Sequence, residues 1–197
     1  MLMENWYRRK DAWLRARPAV CRALMRVSRA LTLLVYAVYI GGMALLLAEA
    51  IAGVRPWQQL IRFVLVPAVT FLAGSALRAR LNAPRPYEVL QLPPIAHKDT
   101  RGKSFPSRHV FSAAVISAAL FYLHPWLGAV LGVVALLQAA GRVLRGVHWL
   151  RDVLAGLAFG WLCGLIGFWL ISGRNHGKKE CAEHAGQAGG GCVEAVL

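Results

Sequence analysis

Residues 30–48, ALTLLVYAVYIGGMALLLA, carry no charged side chain, and residues 153–173 form a second charge-free run. A bilayer core about 30 Å thick is crossed by about 20 apolar residues in a helix. Two such runs in one chain make lipid the solvent for most of the fold. Three further apolar segments fit the same reading, so spans are expected at residues 30–52, 57–77, 107–124, 125–140 and 148–173. The third and fourth meet at His124–Pro125, which reads as the tight turn of a helical hairpin. Pro67 inside the second span predicts a kink. Gly156, Gly160, Gly164 and Gly167 line the fifth and allow close helix approach, within the chain or in a dimer.

Composition supports this. The chain is 57% hydrophobic and 16% charged, where a soluble domain carries roughly a quarter charged residues. Net charge is +14, from 23 Lys and Arg against 9 acids. The bases do not form a stripe between aromatic platforms, so no nucleic-acid partner is expected. They gather at the amino terminus and between apolar runs, a pattern suited to membrane lipids and phosphates. Residues 1–29 interleave Trp6, Tyr7, Trp13 and Leu14 with Arg8, Arg9, Lys10, Arg15 and further arginines. They read as a basic amphipathic leader on the membrane surface, with no cleavable signal. Residues 30–174 would be the membrane domain, and the Gly-rich residues 175–197 a disordered tail. Cys163 reads as a small buried hydrophobe. Cys181, His184 and Cys192 are too loosely spaced to argue for a metal.

Polar residues at the mouths of the spans need a reason, because charge at a bilayer is costly. Counting crossings puts the loops 78–106 and 141–147 on one face, so three polar clusters can meet. In the first, Arg78 and Arg85 stand seven apart, with Pro86 after them. Guanidinium forks match phosphate oxygens, although arginines at span ends also snorkel to the interface. In the second, Pro106-Ser107-Arg108-His109 opens a helix with Ser107 as N-cap. The first turn of that helix offers N–H groups to an anion. His109 there suits proton donation. The third cluster is Arg142, His148 and Asp152. A carboxylate beside an imidazole fixes its tautomer and leaves the other nitrogen as a lone pair; an ion pair of Asp152 with Arg151 or Arg145 is the alternative. Together the clusters offer what phosphoryl transfer needs, positioning and charge neutralisation. No second carboxylate accompanies Asp152, so a route without metal or cofactor, through phosphohistidine, is favoured.

Arg78-x6-Arg85-Pro86, Pro106-Ser107-Arg108-His109 and Gly141-Arg142-x5-His148-x3-Asp152 resemble, in order and spacing, the signature of the type-2 phosphatidic acid phosphatase superfamily. These are lipid phosphate phosphatases related to the vanadium haloperoxidases. Arg78 stands where the family has Lys, Arg108 where it has Gly, and Gly141 where it has Ser. Members usually have six spans, against five plus the leader here.

The resemblance implies an all-α, polytopic membrane bundle, here of about five transmembrane helices plus an N-terminal interfacial helix. It implies His148 as nucleophile, Asp152 as its orienter and His109 as general acid. Arg78, Arg85, Ser107, Arg108 and Arg142 would hold the phosphate. Arg108 adds a cation, suited to a diphosphate, or narrows the pocket. The expected activity is removal of phosphate from a lipid phosphate or diphosphate, such as undecaprenyl diphosphate, phosphatidylglycerophosphate or phosphatidic acid, in the cell membrane. Alternatives are a phosphotransferase using the same site, or an anionic-lipid-binding protein without catalysis. The loop-charge bias puts the site on the cytosolic face, but phosphate-binding arginines enter that count in either orientation.

Overall fold

A computed structural model of the chain describes residues 2–92 and 101–170. The described elements are helical: α1 (Leu2–Arg15), α2 (Pro18–Ile51), α3 (Trp57–Leu81), the single turn α4 (Pro86–Val89), α5 (Arg108–Leu123), α6 (Pro125–Leu144) and α7 (Leu150–Leu165). A π-helical turn, Ile166–Leu170, continues α7. α2, α3, α6 and α7 are long and apolar enough to cross a bilayer, and α5 is a shorter apolar helix. Leu33, Ile40, Leu65, Leu72, Val133 and Leu162 stand exposed on their outer faces. Such a surface is stable against lipid tails and not against water. The chain is a multi-pass helical membrane protein.

α5 is the axis of the bundle. It packs against α6, α7, α3 and α2, and its residues from Val110 to Ser117 are buried without a break. A helix apolar all round has to be enclosed by others. The close approach of α7 depends on its glycines. A Cβ at Gly160 would collide with the carbonyl oxygen of Phe111, and one at Gly156 would lie 3.1 Å from that of Ser107. The glycine ridge therefore serves packing within the chain. It also sets the site, since the Ser107 N–H can then donate to the Asp152 carbonyl at 2.9 Å.

Helix α3 continues through Pro67. Proline removes the N–H that would bond the carbonyl four residues back, here that of Phe63. The Tyr39 hydroxyl donates to that carbonyl at 3.1 Å. α2 thus supplies the donor that Pro67 lacks.

The amino terminus differs from the sequence expectation. There is no single leader over residues 1–29. α1 ends at Arg15, and the first spanning helix starts at Pro18, a residue suited to a first helical turn. Its 34 residues are far longer than a bilayer core requires. Arg22, Arg26 and Arg29 therefore belong to the basic early turns of α2. α1 buries Tyr7, Asp11 and Leu14, one face of a helix. Other ends shift less. α3 and α6 run on to Leu81 and Leu144, and α7 begins only at Leu150, after His148. Cys163 is half-buried, because its side of α7 is not fully covered. The tail, with Cys181, His184 and Cys192, lies outside the described residues.

Candidate active site

The C-terminal end of α3 carries Arg78, which is buried although charged. Asn82, in the left-handed conformation that asparagine tolerates, closes the helix by donating its N–H to the Arg78 carbonyl at 3.1 Å. Just after it, the Ala83 carbonyl accepts the Ser104 N–H at 2.8 Å. Arg78 Nη1 donates to the Pro106 carbonyl at 2.5 Å. Arg85 Nε donates to the Gly102 carbonyl at 3.0 Å, and its Nη1 to that of Val147 at 3.4 Å. Glu88 accepts the Gly102 N–H at 2.8 Å. Gly102 has φ +65°, and a Cβ there would meet the Asn82 side chain; only glycine fits. Each guanidinium has five N–H donors in a planar fork. One or two of them tie loops together, and the rest of the fork is available to an anion.

His148 precedes α7 and is almost fully buried. Its Nδ1 lies 3.6 Å from Asp152 Oδ2 and 3.4 Å from Ser104 Oγ. Ser104 donates a short hydrogen bond to the same carboxylate oxygen, which also accepts the Trp149 N–H at 3.0 Å. Asp152 is completely buried. Its other oxygen is 3.7 Å from Arg151, whose side chain is largely in solvent. The alternative ion pair is therefore loose, and the carboxylate is committed to the His148 side. Burial pushes the His148 imidazole down to about 4; its contact with Asp152 opposes the shift, and Arg85 and Arg142 add to it. The ring is neutral near pH 7. With Nδ1 turned to Ser104 and Asp152, Nε2 is the nitrogen left for chemistry.

A cavity of about 420 Å³ collects Arg78, Arg85, Arg101, Lys103, Arg108, His109 and His148, with Ser75, Ala79 and Gly102. The two histidines share one chamber, and among the described residues no acid lines it. Arg108 is exposed and reaches over the Phe71 ring, 5.7 Å from its centre, at the α3 side. Two predicted residues do not line the cavity. Arg142, on the last turn of α6, is buried beside it, near enough for its charge to act on His148. Ser107 occupies the N-cap position of α5, but its hydroxyl makes no capping bond, being sealed under α7.

Residues 59–176 match the family model described as the PAP2 superfamily. The chain belongs to this superfamily. A 76-residue stretch is 36% identical to the lipid A 1-phosphatase of Porphyromonas gingivalis, covering 36% of this chain and 17% of that protein. The chain thus spans about a sixth of that curated relative's length. Its fold resembles the crystal structure of LpxE from Aquifex aeolicus, with a TM-score of 0.57 at 22% identity, over 85% of this chain and 94% of that one.

Within this PAP2-superfamily chain, three side chains near His148 were not anticipated from sequence. Ser104 links His148 and Asp152. The Tyr7 hydroxyl donates to the His148 carbonyl at 3.1 Å. Trp149 Nε1 donates to the Pro84 carbonyl at 3.1 Å, joining the two site loops. Ser104 lies just ahead of the Pro106-Ser107-Arg108-His109 stretch, and that proximity was the one available signal. Nothing in the sequence ties Tyr7 to a residue 141 positions away.

Proposed function

We propose that the chain is an integral membrane phosphatase that releases phosphate from lipid phosphates or diphosphates through a phosphohistidine on His148, without metal. One observation carries the reading: a buried, neutral His148, backed by Asp152, opens into the same cation-lined cavity as His109. Arg78 and Arg85 hold the phosphoryl oxygens, Arg108 adds a cation at the mouth, and Ser107 and Arg142 support the pocket from behind. The phosphatase unit runs from the start of α2 at Pro18 to the end of the last span, set in the plasma or inner membrane.

In the first step the Nε2 lone pair of His148 attacks phosphorus. The P–N bond forms as the P–O bond to the lipid breaks, and His109 gives its proton to the leaving oxygen. The positive charge that develops on the imidazole is met through Nδ1 by Ser104 and the Asp152 carboxylate. In the second step His109 takes a proton from water. The resulting hydroxide attacks phosphorus, the P–N bond breaks, inorganic phosphate leaves, and His148 returns to its neutral form. Most of the catalysis is positioning and charge neutralisation by fixed groups.

Candidate substrates are undecaprenyl diphosphate, phosphatidylglycerophosphate and phosphatidic acid. The lipid A 1-phosphatase relative adds phosphorylated lipid A to the panel. The test is phosphate release from this panel by wild type and His148→Ala in detergent, with and without a chelator and vanadate. Chelator-resistant, vanadate-sensitive release that His148→Ala abolishes is the expected result. Full activity in His148→Ala would exclude the nucleophile, and binding without turnover on every lipid would point to a non-catalytic lipid-binding protein.

A further inference from the structure

A second cavity, of about 610 Å³, lies under α1 against the outer faces of α6 and α7. Its walls include Leu136 and Val143 of α6 and Leu154 and Leu157 of α7, and its roof is Trp6 and Tyr7. It shares no residue with the cation-lined cavity. It follows α6 from Leu136 to Leu144, a length of about 12 Å at 1.5 Å per residue. That is an apolar groove long enough for part of an acyl chain, in the half of the bundle that holds His148.

The roof is charged. From residue 2 to residue 17 the chain has five bases, Arg8, Arg9, Lys10, Arg15 and Arg17, against two acids, Glu4 and Asp11. Asp11 is already paired with Arg15 at 2.6 Å. Trp6 and Trp13 stand exposed beside these bases, and the Arg17 guanidinium lies 4.4 Å from the centre of the Trp13 ring. Indoles beside cations suit the headgroup layer, and the excess of bases selects an anionic headgroup.

The roof also reaches His148. Tyr7 is 2% exposed. One side of it faces the groove, its hydroxyl holds the His148 carbonyl at 3.1 Å, and its ring packs edge-on to Trp149 at 5.1 Å. Lys10 Nζ donates to the Val143 carbonyl at 2.8 Å, near the end of α6. An isolated helix of 14 residues is marginal by itself, so whatever fills the groove helps to keep α1 seated.

We propose that this groove binds one anionic phospholipid, its acyl chain along α6 and α7 and its headgroup on the bases of the roof, and that the bound lipid holds the His148 loop through Tyr7. The link to turnover rests on the phosphatase reading above; the binding site does not.

The test uses the full chain in phosphatidylcholine vesicles with a minor share of bromine-tagged phosphatidylglycerol, or the same share of tagged phosphatidylcholine. Subtracting Trp6→Phe isolates Trp6 fluorescence. Tagged phosphatidylglycerol is expected to quench Trp6 several-fold more than tagged phosphatidylcholine, and Arg9→Gln with Arg17→Gln to remove the difference. Equal quenching by both lipids overturns the proposal. So does an unquenched Trp6 with cross-linking between α1 helices of two copies, which gives the groove to a second chain. In a second arm, untagged phosphatidylglycerol is expected to raise wild-type turnover on a lipid phosphate several-fold. Tyr7→Phe, which keeps the ring, should retain the quenching and lose the rise. A rise kept in Tyr7→Phe overturns the role of Tyr7. The quenching arm needs no turnover, so an inactive protein would sink the phosphatase reading and leave the lipid site decided.

Discussion

Nδ1 of His148 lies 3.6 Å from Oδ2 of Asp152, and the Ser104 hydroxyl touches both. The spacing is too long for a strong direct hydrogen bond, so the serine completes the link: it accepts from the imidazole N–H and donates to the carboxylate. Ser104→Ala is expected to lower kcat by about 10–100-fold, the range for a partner that orients a reacting group, with little change in KM. Asp152→Asn should cost orders of magnitude more, because the amide favours the wrong tautomer. Steady-state phosphate release in detergent checks both. A Ser104→Ala enzyme with normal kcat would remove the serine from the link.

The two histidines predict a trapped intermediate. An aryl phosphate has a leaving group that departs without a proton donor, so His109→Gln should still be phosphorylated on it. The second step lacks its base and should stall. An acid-labile, base-stable phosphohistidine should then accumulate on His148 and be absent in the His109→Gln, His148→Ala double variant. Labelled phosphate and peptide mapping read this directly.

Burial of His148 makes a prediction about pH. Its folded value of about 4 lies below the ordinary 6.5. Between those values the unfolded chain takes up a proton that the folded chain refuses, so stability falls as pH drops from 6.5 toward 4. Thermal melts in detergent across that window should show the loss, and His148→Gln should flatten it. The His148 limb of kcat/KM should likewise fall near 4 and not near 6.5, since the neutral ring is the nucleophile.

Packing supplies a fourth test. A methyl at Gly160 would meet the Phe111 carbonyl and the Ala114 side chain. Gly160→Ala is expected to cost about 1–3 kcal/mol, the usual penalty for overpacking, and to lower the melting temperature. Gly41, where a Cβ would meet nothing within 4 Å, is the control: Gly41→Ala should be neutral or stabilising.

Much of this architecture was legible because lipid imposes a length rule. The five apolar helices could be placed from long apolar runs, two of them free of charge, and the hairpin turn at His124–Pro125 from one proline. Their ends were less legible. Arg22, Arg26 and Arg29 look like a leader, yet a basic helix simply longer than the bilayer has the same composition. That Tyr39 replaces the hydrogen bond lost at Pro67 is a tertiary fact that no local pattern carries. Of the motif residues, Arg78, Arg85, Arg108, His109 and His148 share one chamber. Arg142 and Ser107 were harder, because spacing gives no information on which side of a helix end is sealed by a neighbour. Tyr7 and Ser104 act through distant contacts that no local pattern encodes.

The hairpin of α5 and α6 has one more consequence. The two helices start level at His124, but α5 has 16 residues and α6 has 20. At 1.5 Å per residue α5 stops about 6 Å short of its neighbour, so His109 is set back from the end of α6. A lipid can present its phosphate there without leaving its leaflet. For such an arrangement the rate follows the mole fraction of substrate in the bilayer and not its bulk concentration. Diluting the substrate with inert lipid at constant total amount should therefore slow the reaction in proportion.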